Sequence, residues 1–157
     1  MLVYLEQLNV EASKPPVHES LELLLHREIL LFRDYVFQFQ EKTQRAKDEV
    51  VRRICECTRT SLRTASIEVY GSHATKLSLP WSDIDLVLKP GEDQTNQALE
   101  ELYNELGKHD WVKEKKLIMT ASVPVAKLEC EIDGQDIKVD ITFQDGNHLG
   151  KECVSLV

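Results

Sequence analysis

The stretch whose reading decides the fold is Val69-Tyr70-Gly71-Ser72-His73-Ala74-Thr75-Lys76-Leu77-Ser78-Leu79-Pro80-Trp81-Ser82-Asp83-Ile84-Asp85-Leu86-Val87. It opens on a strand-like alternation over residues 66–70 that stops at Gly71-Ser72, a turn signal. It closes on a second alternation over 83–88. There Asp83, Asp85 and Val87 share one face, and Ile84, Leu86 and Leu88 share the other. Two carboxylates at i and i+2 on one strand point the same way. A lone Gly-Ser is ordinarily a turn, and a lone acid on a polar strand face is ordinarily solvated. A Gly-Ser between two strands, followed by Asp-Ile-Asp, is more specific. Glycine permits a sharp turn and close approach of a ligand. Ser72 and the amides after it are expected to open a short helix over 74–77, whose free N–H groups suit a phosphate.

Outward from this stretch, the chain reads as helices before it and strands after it. Residues 1–17 form a weakly patterned arm closed by Pro15-Pro16. Leu21, Leu24, Leu25, Ile29, Phe32, Val36 and Phe39 then fall on one helical face. A second helix is expected over 42–60. Ala46, Val50, Ile54 and Cys57 line its apolar side, and Arg45, Lys47, Asp48, Glu49, Arg52 and Arg53 are its solvated remainder. Downstream, Pro90-Gly91 is a turn, and 93–108 reads as a helix stopped by Gly107. Residues 122–129 read as a strand and Asp133-Gly134 as a hairpin turn. Residues 136–143 return, with Asp136, Lys138, Asp140 and Thr142 on one face and Ile137, Val139, Ile141 and Phe143 on the other. The order is helix, helix, strand, short helix, strand, helix, strand, strand, strand. It argues for an α/β or α+β domain with a mixed sheet backed by helices.

The apolar backs of the acid-bearing strands must pack on the helices, so their acids lie on one side of the sheet. If the strands are neighbours, Asp83, Asp85 and Asp140 converge. Converging carboxylates repel and raise one another's pKa. Divalent metal relieves that repulsion, and oxygen-only ligation suits Mg2+, or Mn2+ in its place. Two such ions can activate an attacking hydroxyl and neutralise a triphosphate.

Composition narrows the partners. The chain has 157 residues and a net charge of -8, from 19 Lys+Arg against 27 Asp+Glu. That balance excludes a general phosphate-backbone binder. No apolar run approaches the ~18–20 residues of a membrane span, and no secretory or mitochondrial address is evident at the start. The expected location is intracellular, nuclear or cytoplasmic. Cys55, Cys57, Cys130 and Cys153 match neither a zinc site nor a disulfide framework, and are read as reduced, mostly buried thiols.

The quoted stretch resembles the DNA polymerase β-type nucleotidyltransferase superfamily. Within it, Leu77-Ser78-Leu79-Pro80-Trp81-Ser82-Asp83-Ile84-Asp85 is similar to the eukaryotic branch of template-independent poly(A) polymerases and terminal uridylyltransferases. Val123-Pro124-Val125-Ala126-Lys127-Leu128 resembles that branch's strand before its third acid, and Val139-Asp140-Ile141 resembles the third acid itself. The resemblance covers roughly residues 20–157. It implies an α+β palm-type mixed sheet backed by helices and preceded by an N-terminal helix pair. The arm would span 1–17, the catalytic domain with its leading helices 18–149, and the start of a missing helical central domain 150–157.

The resemblance also implies roles. Asp83 and Asp85 would bind two Mg2+ or Mn2+ ions, and Asp140 would bind the ion that activates the RNA 3′ hydroxyl. Gly71 and Ser72 would hold the β- and γ-phosphates of an incoming NTP, ATP or UTP. Nucleotides would be added to an RNA 3′ end with release of pyrophosphate, a reaction that is mainly positioning and charge neutralisation. The sequence departs from the family at His73, Lys76 and Trp81. His73 is read as structural or exposed, Lys76 as exposed, and Trp81 as an exposed turn or packing residue rather than a base-stacking one. The alternative is a catalytically idle or partner-dependent interaction module, with a protein partner or a further domain covering the helix at 21–39. A DNA-repair polymerase or small-molecule nucleotidyltransferase fits the sequence around Pro80 less well.

Overall fold

The computed structural model describes residues 20–89, 91, 97–120 and 123–143. The expected arm at 1–17, the start of a central domain at 150–157, and Cys153 lie outside the described residues. The described residues divide between Glu41 and Lys42 into two compact units.

Helix α1 runs unbroken over Leu21–Ser61. One helix therefore stands where a pair was expected. Gln40 and Glu41 are good helix formers, and neither Gly nor Pro interrupts the chain there, so nothing ends the hydrogen-bond ladder. In the first unit, Leu21, Leu25, Ile29, Phe32 and Phe39 are exposed, and Leu24 and Val36 are half-buried. In the second, Ala46, Val50 and Ile54 are buried as the stripe required. The last turn is closed by hydroxyls. Thr58, Thr60 and Ser61 donate to the carbonyls of Ile54, Glu56 and Cys57 at 2.8, 2.9 and 2.8 Å.

The remaining elements are β1 (Ser66–Tyr70), α2 (Gly71–Ala74), β2 (Ile84–Lys89), α3 (Gln97–Leu106), β3 (Val112–Ile118), β4 (Val125–Ile132) and β5 (Gln135–Phe143). The sheet order is β1-β2-β5-β4-β3. Only β2 and β5 pair in parallel. The sheet is mixed and the class α+β, as expected. The short helix α2 begins at Gly71, not at Ala74, because Gly71 itself makes the turn with φ +68. β3 carries Lys113, Glu114, Lys115 and Lys116 in succession, which hides its strand period.

Between β4 and β5, Asp133 and Gly134 take φ values of 52 and 67, and Ile132 pairs with Gln135. This two-residue turn with both φ positive matches the twist of the flanking strands. It fixes the register of β5, and so the face on which Asp140 stands. The other face of the sheet makes the core. Ile84, Leu86, Leu88, Ala126, Leu128, Cys130, Val139 and Ile141 cluster with Val50 and Ile54 of α1 and with Leu99, Leu102 and Leu106 of α3. Among the described residues no helix is long and apolar enough to cross a membrane.

Ile54 is fully buried and Leu21 is 80% exposed on the same helix. Ile54→Ala is expected to cost about 2–5 kcal/mol, and Leu21→Ala to stay within about 0.5 kcal/mol of wild type. Urea unfolding of the two variants measures both.

Candidate active site

The site is a row across the polar face of the sheet. Asp85 on β2 pairs in register with Asp140 on β5. Tyr70 at the end of β1 flanks Asp85, and Lys127 on β4 flanks Asp140. The row exists because Ile84, Leu86, Val139 and Ile141 must face the core, which turns the residues between them outward. Both acids are half-buried. Like charges opposite one another on neighbouring strands destabilise a sheet. Burial raises the pKa of Asp85 first, and the charges of Asp140 and Asp83 raise it further.

Asp83 does not lie on the strand. It is one residue before β2 and is exposed, so the three acids are a register pair plus a neighbour at the strand's mouth. Its charge is nevertheless felt at Asp85, Lys127 and Lys47. Among the described residues no three His, Cys, Asp or Glu groups are arranged to enclose an ion. Instead the ammonium of Lys127 sits on the Asp140 carboxylate. That hydrogen bond holds the Lys127 pKa up, with the charges of Asp140, Asp83 and Asp85 adding to it. The donor chemistry fits a hard divalent cation. All three groups are carboxylates, and their charge holds the Lys127 ammonium on Asp140.

Gly71 and Ser72 close the other end of the site. A Cβ on Gly71 would collide with the Asp85 carboxylate oxygen, so no other residue fits the turn without movement. The turn therefore brings open backbone against the acids, the use of glycine wherever a ligand must come close. Helix α2 is only four residues long. A helix of that length carries no appreciable dipole.

The departures at 73, 76 and 81 resolve separately. Lys76 is exposed with φ 60, and Trp81 is 56% exposed. His73 is structural: its side chain is 8% exposed and its Nε2 lies 3.3 Å from the Asp48 carboxylate. Burial pushes its pKa down, partly opposed by Asp48. Cys130 is buried and its thiol is pushed up to about 12, while Cys55 and Cys57 are half-buried and free.

Two residues beside the acids carry no site role in the sequence. Lys127 lies between the buried Ala126 and Leu128, so alternation puts it on the polar face. Its pairing with Asp140 follows only once the hairpin register is known. Lys47 was assigned to the solvated side of the second helix, and this is corrected: it is 1% exposed. Its spacing to Val50, Ile54 and Thr58 places it on their face, and that was the available signal.

Two outcomes follow. Gly71 and Gly134 have nearly equal positive φ values, but nothing surrounds a Cβ at Gly134. Gly134→Ala is expected to cost the backbone term alone, about 1–2 kcal/mol. Gly71→Ala should cost clearly more, and equal losses in thermal unfolding would contradict the close approach to Asp85. The second outcome concerns charge. A raised pKa means that folded Asp85 binds its proton more tightly than unfolded Asp85 does. Its ionised form therefore subtracts stability at neutral pH, and the subtraction fades as the pH falls through the raised folded value and is gone below about 3.9, the ordinary value. Without divalent cations, Asp85→Asn should melt higher than wild type at pH 7 and lose that advantage in acid. A lower melting temperature at pH 7 would refute the cost of burying that charge beside Asp140 and Asp83.

Comparisons with known proteins bear on the family and the fold. A family model described as "Poly(A) RNA polymerase, mitochondrial-like, central palm domain" matches residues 25–151. Poly(A) RNA polymerase cid14 of Schizosaccharomyces pombe is 31% identical over 141 residues, covering 88% of this chain and 20% of that protein. The chain thus spans about a fifth of the length of that relative. A cytoplasmic RNA terminal U-transferase superposes with a TM-score of 0.55 at 25% identity, over 67% of this chain and 30% of the other. The Cid1 poly(U) polymerase with MgGTP bound superposes with a TM-score of 0.61 at 24% identity, over 76% of this chain and 39% of the other, a likeness of fold. With a match that spans the sheet, the acid row and most of the leading helix, the chain belongs to the family of mitochondrial-like poly(A) RNA polymerase central palm domains.

Proposed function

We propose that this chain is the catalytic palm of an RNA 3′-end nucleotidyltransferase, which adds nucleotides from NTP and releases pyrophosphate. The in-register pair of Asp85 and Asp140 carries this reading, because it concentrates negative charge at one point of an otherwise ordinary sheet. The relatives support it: cid14 is a poly(A) RNA polymerase, and the solved neighbours are a terminal U-transferase and a poly(U) polymerase.

Asp83, Asp85 and Asp140 would hold two Mg2+ or Mn2+ ions. Bound there, the ions would supply charge neutralisation at the triphosphate and acidify the RNA 3′ hydroxyl. The chain's own residues set the stage. With those ions bound, Asp83 and Asp85 would hold the α-phosphate end of the NTP, ATP or UTP, at the mouth of β2; alone, the two carboxylates repel phosphate. Asp140, one strand away, marks the place of the 3′ oxygen. Gly71 and Ser72 take the β- and γ-phosphates on backbone N–H groups and the Ser72 hydroxyl. The 3′ hydroxyl gives its proton to the Asp140 carboxylate, its oxygen bonds to the α-phosphorus, the bond from that phosphorus to the β-phosphate's bridging oxygen breaks, and pyrophosphate leaves. An intracellular location, in nucleus or cytoplasm, goes with these substrates.

One observation favours the alternative of an idle or partner-dependent module, with another protein or a further domain over the helix face at 21–39. Lys127 already neutralises Asp140.

Extension of a labelled short RNA with each NTP, in Mg2+ or Mn2+, separates the two. Wild type is expected to extend the RNA, and Asp83→Ala/Asp85→Ala to abolish extension. No extension by wild type, together with no metal-dependent NTP binding, would leave the interaction module as the reading.

A further inference from the structure

The loop between Ser72 and Asp83 is held from behind by two adjacent residues of α1. Asp48 reaches His73 at its start, with 3.3 Å between the carboxylate and Nε2. Lys47 reaches its far end. The Lys47 ammonium donates to Ser78 Oγ at 2.7 Å and to the Leu79 carbonyl at 2.8 Å. Both Lys47 and Ser78 are buried, at 1% and 6% exposure. The Leu79 carbonyl also accepts the Ser82 amide at 3.0 Å, and the Leu79 amide donates to Ser82 Oγ at 3.1 Å. A short chain of contacts thus runs from Lys47 through Leu79 and Ser82 to Asp83.

Burying an ammonium against neutral acceptors is costly. Burial lowers the Lys47 pKa, and the charge of Asp83 opposes that fall. A core position three residues before Val50 could hold an aliphatic side chain instead. The cation is therefore better explained by what it holds than by packing.

We propose that Lys47 is a positioning residue, which pins the Ser78–Leu79 turn so that the exposed Asp83 is presented to a divalent cation beside Asp85. The inference rests on the assignment of Asp83 and Asp85 as metal ligands. Its sign separates it from simple electrostatics. Removing a positive charge near the acids would by itself tighten cation binding. Loss of positioning weakens it.

The test is titration of the full chain with Mn2+ alone, followed by electron paramagnetic resonance of the free ion, with circular dichroism melts alongside. Wild type is expected to bind and Asp83→Ala/Asp85→Ala to lose binding. Lys47→Met, similar in length and uncharged, should retain its helical signal and bind Mn2+ about tenfold more weakly, the usual effect of losing a partner that orients a ligand. A folded Lys47→Met with unchanged or tighter Mn2+ binding would overturn the proposal. If Lys47→Met does not fold, Ser78→Ala decides: weaker binding supports the pinning and unchanged binding overturns it. A wild type that binds no Mn2+ defeats the metal assignment of the acids, and this inference with it.

Discussion

The parallel pairing of β2 with β5 sets Asp85 opposite Asp140, and the rest of the site is organised around that unfavourable contact. Neighbouring strands lie about 4.8 Å apart, so two carboxylates in register cannot avoid each other's field. The hydrophobic alternation of both strands forbids a slip that would separate them. Moving either strand by one residue would expose Leu86 or Ile141 and bury an acid. The core therefore enforces the repulsion. Such local conflict with global packing is characteristic of functional positions.

The surroundings respond to that charge in three ways. Lys127 on β4 neutralises Asp140 directly. Gly71 removes the side chain that would block the Asp85 carboxylate and leaves backbone facing the acids. From α1, Lys47 and Asp48 hold the loop that leads into Asp83. None of these contacts adds to the hydrophobic core. Together they keep acids and open backbone at one point of the sheet, the arrangement phosphoryl transfer requires.

Much of this was legible in the chain, for identifiable reasons. Strict alternation over 84–88 and 137–143 gave the two central strands and the faces of Asp85 and Asp140. Asp133-Gly134 gave the hairpin because its two positive φ values suit only a few residue types. The order of the strands was not legible, since pairing depends on contacts far apart in sequence. Lys127 was within reach, because the two-residue turn at Asp133-Gly134 sets it opposite Asp140; only its nearness to the acids on β2 needed the strand order. β3 stayed without a residue range because four charged residues in a row erase its period. α1 reads as two helices because polar residues fill 40–45 between Phe39 and Ala46, although no residue there breaks a helix. Lys47 was misplaced by its charge: the type of side chain outweighed a spacing that put it on the buried face.

The central claim is that the Asp85–Asp140 pair is a divalent cation site and not merely a strained ion-pair network. Anomalous diffraction from crystals of the chain soaked in Mn2+ tests it most directly. The account predicts an anomalous peak between the Asp85 and Asp140 carboxylates, with the Lys127 ammonium displaced from Asp140. No peak there at saturating Mn2+, with Lys127 still seated on Asp140, would contradict it.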